Sequence, residues 1–201
     1  MNRRLGVLIS GRGSNLQAII DAIAAGRLDA EIAVVISNRA DAAGLLRARQ
    51  AGIEALCVEP RNFADRDAYD RRLAEILRAH DVALVCLAGF MRLVGRPLLD
   101  AFPDRILNIH PSLLPSFPGL DAQRQALEHG VRVTGATVHL VTSELDSGPI
   151  VLQAAVAVLD GDTVETLSER ILTEEHRIYP EAIELILKSR SRIDGRRFLT
   201  A

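Results

Sequence analysis

Apolar positions along the first hundred residues come in short unbroken blocks separated by segments of helical spacing. "LGVLIS" (5–10) is such a block and runs into "GRGSN". A run with no polar face suits a strand covered on both sides. "EIAVVIS" (31–37), "IEALCVE" (53–59) and "DVALVCLAG" (81–89) predict three more strands. Between them "LQAIIDAIAAG", "AAGLLRARQAG" and "RDAYDRRLAEILRAH" predict helices. In the last of these Leu73, Ile76 and Leu77 share a face, and Asp65 stands where it can cap the first turn. Strand–helix alternation predicts a parallel sheet with right-handed crossovers. Residues 1–100 therefore read as a Rossmann-like, phosphate-binding half.

The pattern then changes. "RILNI" (105–109) predicts a strand leading into a proline-rich loop, and "AQRQALEHG" (122–130) a helix closed by glycine. "VTGATVHLVT" and "PIVLQAAVAV" lie close enough together to be antiparallel neighbours. A long helical pattern opens at Asp162 or Thr163, and Pro180 is expected to kink or divide it. The tail "RSRIDGRRFLT" suggests a small hairpin about Asp194–Gly195. The expected class is α/β: one domain over residues 1–201, whose parallel half continues into a single mixed sheet flanked by helices. Residues 101–201 form its second half.

Composition narrows the partners. The net charge of -2 is spread over well-mixed charges, aromatics make up 3% and Trp is absent. A nucleic-acid groove built on basic blocks and stacking rings is thereby disfavoured. The longest apolar run, "VALVCLAGFM", is half a membrane span. The opening "MNRRLGVLIS" is too short for a signal-peptide core. A soluble cytoplasmic protein is expected. Cys57 and Cys86 sit in apolar runs and read as two buried thiols, without a zinc signature.

Two polar stretches interrupt this regularity. "SGRGSN" (10–15) lies at a strand-to-helix junction, where free N–H groups and the helix dipole attract an anion. A dinucleotide site would want a third glycine, but Leu16 stands there. It would also want an acidic residue after the second strand, where Asn38 and Arg39 stand. A single phosphate fits better than NAD, although two glycines also make an ordinary tight turn. In "NIHPSLLPSFPG" (108–119), Asn108 and His110 are two apart on a strand and so share a face at its carboxyl end. Pro111 favours extended backbone at His110, and Pro115 and Pro118 stiffen the rest of the loop. Asp146 in "ELDSGPI" reads by itself as a turn residue.

Taken together, "SGRGSNLQAI", "LAGFMRLV", "NIHPSLLPSFPG", "ELDSGPI" and "EEHRIYP" resemble the folate-dependent formyltransferases, from Val7 to about Ile183. "HPSLLP" marks the superfamily; "GSN" and the "EEH" helix point to its ribonucleotide branch. The resemblance implies the formyltransferase fold. It implies transfer of a formyl group from 10-formyltetrahydrofolate to the amine of 5'-phosphoribosylglycinamide in purine biosynthesis, without a metal. Asn108, His110 and Asp146 match the catalytic trio. Gly13, Ser14 and Asn15 match the phosphate loop, and Glu175 a carboxylate on the ribose hydroxyls. Met91, Arg92, Leu93 and Val94 match positions lining the folate site, with Asn108 contributing, and Arg66 a contact to the folate tail. Arg12, Ser116 and Asp121 stand where relatives vary. The partners implied are glycinamide ribonucleotide and the formyl folate, with no nucleic acid or membrane, for a monomer or homodimer.

The chemistry implied is attack of the amine on the formyl carbon. A tetrahedral intermediate results, whose oxyanion accepts from Asn108 and a charged His110. Asp146 beside His110 is expected to raise its pKa and keep it charged near neutrality. His176 reads as helix surface or packing, His80 and His129 as helix C-terminal residues, and His139 as a strand-face residue without a role. Rival readings are another folate-dependent formyltransferase, a formyltetrahydrofolate hydrolase, and a phosphate-binding module without catalysis. A transfer-RNA formyltransferase is expected to add a basic C-terminal domain, and a hydrolase an N-terminal regulatory domain.

Overall fold

The computed structural model describes residues 2–188 and 191–200. They fall into two compact units, the first ending at Asn108 and the second beginning at Ile109.

The first unit contains β1 (Arg4–Ile9), α1 (Ser14–Ala24), β2 (Glu31–Ser37), α2 (Ala43–Gln50) and β3 (Ala55–Cys57). It continues with α3 (Arg66–Ala79), β4 (Leu84–Leu87), α4 (Arg96–Ala101) and the first residues of β5 (Ile106–His110). Its strands are ordered β3-β2-β1-β4-β5, and every pairing is parallel. The apolar blocks are where the sequence predicts them, and Leu5, Val7, Leu8, Ile9, Leu84 and Val85 are fully buried. Asp65 caps α3 by accepting from the Ala68 amide at 2.7 Å. The chain leaves β1 to one side for β2 and β3, then returns to β4 on the other. Beyond the carboxyl ends of β1 and β4 lies the switch point at which such sheets bind ligands.

The second unit holds the end of β5, then α5 (Ala122–Glu128), β6 (Val133–Leu140), β7 (Ile150–Ala157) and α6 (Val164–Lys188). A terminal hairpin of β8 (Ser191–Asp194) and β9 (Arg197–Thr200) closes it. β6 pairs antiparallel with β7, β7 parallel with β9, and β9 antiparallel with β8. Helix α6 packs on β6 and β7. Its buried stripe runs Leu167, Ile171, Glu175, Ile178, Ala182, Ile186, at steps of three or four. The start of α6 is pinned by Asp162, which takes both ends of the Arg170 guanidinium at 2.7 and 2.8 Å. Those bonds hold the Asp162 carboxyl well below the usual carboxylate range, helped by the Leu159 amide.

The expected class is what the described strands show, a parallel half followed by a largely antiparallel one, and the tail hairpin forms as expected. Four details differ. Strand β3 spans three residues rather than seven, because it is an edge strand paired only with β2. For the same reason Cys57 is exposed; only Cys86 is buried. Pro180 does not divide α6, which runs unbroken through it. Its ring is buried on the apolar stripe, and that packing outweighs one lost backbone hydrogen bond. Helix α4 has six residues with Pro97 in its first turn, too short a segment to declare a period.

Candidate active site

In the first unit two loops leave the carboxyl ends of β1 and β4. The glycine loop follows β1, and Gly13 caps α1 with φ 71°. That backbone is left-handed and suits glycine. A Cβ there would also stand 2.7 Å from the Gly44 Cα of α2. Ser14 opens α1, and Asn15 beside it is buried. A cavity of about 230 Å³ lies against the loop, lined by Ser10, Gly11, Arg12, Arg39 and Asp41. The second loop carries Met91, Arg92, Leu93 and Val94, of which Met91 and Leu93 are exposed apolar residues. Ser10 ties the loops together. Its amide donates to the Gly89 carbonyl at 3.1 Å, and its hydroxyl accepts from the Met91 amide at 2.8 Å. Buried Asp70 holds the far end by accepting from the Gly95 amide at 2.6 Å. The Arg92 guanidinium lies 5.2 Å over the ring of buried Tyr69, and Arg66 is exposed at the start of α3.

The proline-rich loop of the second unit is fastened from β6 and β7. Thr137 donates to the Ser112 carbonyl at 2.7 Å and accepts from the Leu114 amide at 3.0 Å. Gln153 donates to Thr137 and to the Leu114 carbonyl, both at 2.9 Å. The loop therefore presents its Phe117 carbonyl in a fixed place.

That carbonyl lies 2.9 Å from His110 Nε2, so Nε2 carries the proton and donates. His110 Nδ1 faces Asp146 Oδ2 at 3.5 Å. From β6, His139 repeats the arrangement. Its Nδ1 lies 3.0 Å from the Leu140 carbonyl, and its Nε2 faces Asp146 Oδ1 at 3.6 Å. Each imidazole thus has a main-chain carbonyl at one nitrogen and turns the other toward one carboxylate. Both inner distances exceed a hydrogen bond. The Gly119 amide completes the carboxylate by donating to Oδ2 at 2.8 Å. Asn108 precedes His110 by two residues on β5 and is half-buried, whereas His110 is buried. Phe117, Asp121 and Asp146 all have left-handed backbone, with φ of 56°, 55° and 46°.

Burial lowers the His110 pKa, more than the Phe117 carbonyl and the Asp146 charge raise it. The expectation of a His110 held charged by Asp146 is therefore corrected. Removing an imidazolium from water costs more than a carboxylate at 3.5 Å returns. Burial alone would raise Asp146 as well. The nearby His139, the Gly119 amide and the charge on His110 reverse that and hold the carboxyl below its ordinary value. Both directions favour an uncharged His110 beside an ionised Asp146. Among the described residues no group of three or more His, Cys, Asp or Glu is arranged to hold a metal ion.

A model of the formyl transferase family matches residues 3–183. The chain belongs to the formyl transferase family. Among its relatives in that family, phosphoribosylglycinamide formyltransferase of Escherichia coli (strain K12) is 50% identical over 177 residues, 88% of this chain and 84% of that protein. The trifunctional purine biosynthetic protein adenosine-3 of Bos taurus is 48% identical over 190 residues, 94% of this chain. The chain spans only 19% of that relative's length. The crystal structure of glycinamide ribonucleotide transformylase 1 from Symbiobacterium toebii is similar to this fold with a TM-score of 0.97 and 64% identity. That match covers 99% of this chain and 94% of the other.

One feature of this cluster was not legible in the sequence. His139 has its meaning only once β6 carries it to Asp146. Its one sequence signal is that Thr137, two residues earlier, shares its strand face. Glu175, which the resemblance gives as a binding carboxylate, is buried on the apolar stripe of α6. His80 and His129 do cap helices, each with Nδ1 near the carbonyl four residues back, at 2.7 and 2.8 Å. No helix among the described residues is long and apolar enough to cross a membrane.

Proposed function

We propose that this formyl transferase moves the formyl group of 10-formyltetrahydrofolate to the amine of 5'-phosphoribosylglycinamide. The observation that carries the reading is the Asp146 carboxylate flanked by the inner nitrogens of His110 and His139, at 3.5 and 3.6 Å. It suits a reaction that must take a proton from one nitrogen and return it to another. The amine attacks the formyl carbon, and the carbonyl electron pair moves to oxygen. Asn108 donates its amide N–H to that oxyanion; such a donor contributes roughly 3 kcal/mol to the transition state. The ammonium proton passes to His110 Nδ1, since Nε2 is committed to Phe117. The new imidazolium then lies against Asp146 and supports the oxyanion. Proton return to N10 of the folate lets the carbon–nitrogen bond break and the carbonyl re-form. His110 is thus a neutral base before it is a charged donor.

The binding roles complete the reading. The loop carrying Gly13, Ser14 and Asn15 takes the phosphate, and Glu175 the ribose hydroxyls. Met91 to Val94 and Asn108 take the folate ring, Arg66 its acidic tail. One domain serves both substrates. Purified protein incubated with 10-formyltetrahydrofolate separates this reading from its rivals. Tetrahydrofolate is expected to form only when phosphoribosylglycinamide is present, and much more slowly with free glycinamide, which lacks the remote binding energy of the phosphate. Release without any acceptor indicates a hydrolase. Equal kcat/KM for both acceptors, or for a formylatable transfer RNA, overturns the acceptor assignment.

A further inference from the structure

Three consecutive carbonyls of the glycine loop are drawn to protein donors. The Gly11 carbonyl accepts from the Gly44 amide of α2 at 3.0 Å, and the Gly13 carbonyl from the Gln17 amide of α1 at 2.9 Å. Between them the Arg12 carbonyl accepts from the Arg47 side chain, Nε at 3.0 Å. In a trans peptide the carbonyl and the following N–H point in opposite directions. Fixing those carbonyls therefore turns the amides of Arg12, Gly13 and Ser14 away from these protein donors. Successive main-chain amides of a turn, free of protein acceptors, are groups that bind anions. Among the described residues none of the three amides donates to a protein acceptor.

The middle anchor differs from its neighbours. The other two are main-chain groups, which any sequence supplies. Arg47 is a half-buried side chain, steadied by Gln17 Oε1 at 3.3 Å, and Gln17 in turn bonds Asp21 at 2.8 Å. Its charge is also uncompensated. Arg39, beside the same loop, is paired with Asp41 at 2.8 Å. Among the described residues no carboxylate pairs with Arg47. Gly44 permits the close approach, since a Cβ there would meet the Ile9 side chain at 2.5 Å and the Gly13 Cα at 3.2 Å.

We infer that Arg47 is a positioning residue for the phosphate of the acceptor: from behind the loop it turns the Arg12 carbonyl away from the anion and leaves its own positive charge beneath the site. The inference rests on the proposed acceptor, and adds a residue that the anion never touches. Its effect is confined to binding of phosphorylated ligands, because the folate and the proton-transfer cluster take no part in it.

The test compares wild type with Arg47→Met, which loses the donor and the charge, and Arg47→Lys, which keeps a charge and one donor. Ribose 5-phosphate binding is measured by calorimetry, and KM and kcat are measured for both substrates. For Arg47→Met the ribose 5-phosphate Kd and the acceptor KM are expected to rise about 10-fold together. kcat stays within about two-fold and the folate KM is unchanged. Arg47→Lys is expected to recover most of the loss. Unchanged ribose 5-phosphate affinity in Arg47→Met overturns the inference, as does an equal rise in both KM values with Lys giving no recovery. Wild type that binds ribose 5-phosphate but formylates nothing defeats the proposed function alone; the Arg47→Met affinity then decides the inference by itself.

Discussion

In the glycine loop the groups that the proposed phosphate would meet are main-chain amides, and the Arg47 side chain stands behind them as a brace. Around Asp146 the materials are exchanged. There the proposed reaction falls to side chains, and the main chain braces them through the Phe117 and Leu140 carbonyls and the Gly119 amide. The difference reflects the task of each. An amide row recognises a charge without changing its own protonation. The imidazole of the proposed base His110 can change protonation, and its inner nitrogen faces the Asp146 carboxylate at 3.5 Å. The loop should therefore tolerate side-chain variation and resist backbone change, and the cluster the reverse.

The largest expected break comes from Asn108→Ala. Loss of one oxyanion donor slows the chemical step by about 10²–10³-fold and leaves binding of both substrates close to normal. Single-turnover kinetics read this directly, and near-normal turnover removes Asn108 from the chemistry. A backbone change comes next. Gly13→Val sets a branched side chain at φ 71° against α2, so acceptor affinity should fall by about 10-fold or more. Calorimetry with each ligand should find folate binding retained; equal loss of both points to misfolding.

The third prediction sharpens the contrast through pH. If neutral His110 is the base, kcat/KM falls on the acid side as His110 takes up a proton. That limb lies below the ordinary histidine value of 6.5, because burial lowers the group. Asp146→Asn removes an interaction that raises it, so the limb of the residual activity should move to still lower pH. A limb that stays where it is in wild type shows that Asp146 acts otherwise. The smallest effect is on stability. A histidine whose folded pKa is depressed is protonated first in the unfolded chain. Stability is therefore full above about 6.5 and declines as pH falls below it. Melting temperatures followed from pH 8 to pH 5 should drop less steeply in His110→Asn. Parallel curves mean that other groups set the slope.

Much of the first unit was legible because its strands are buried on both faces and announce themselves as unbroken apolar runs. Its edge was not: the run around Cys57 looks like the others, and only pairing on a single side exposes it. Asn108 and His110 could be placed on one strand face from a spacing of two and a following proline. Asp146 became a partner only through resemblance. His139 stayed hidden because antiparallel pairing of β6 with β7, a long-range event, sets the frame in which it meets Asp146. The sign of the His110 shift was misjudged for a related reason. A neighbouring carboxylate can be inferred from motifs, but the burial that outweighs it is a property of the packed unit.

The left-handed backbone at Phe117, Asp121 and Asp146 has a consequence for anyone breeding variants of this enzyme. Such φ values cost an L-residue about 1–2 kcal/mol, and asparagine or glycine sits there more comfortably. A library selected for heat resistance alone will drift toward those residues at all three positions. Drift at 117 leaves the carbonyl in place, whereas drift at 146 discards the carboxylate. With Asp146 in the role proposed above, survivors that lose it are expected to be well folded and inert, so durability and turnover have to be selected in the same round.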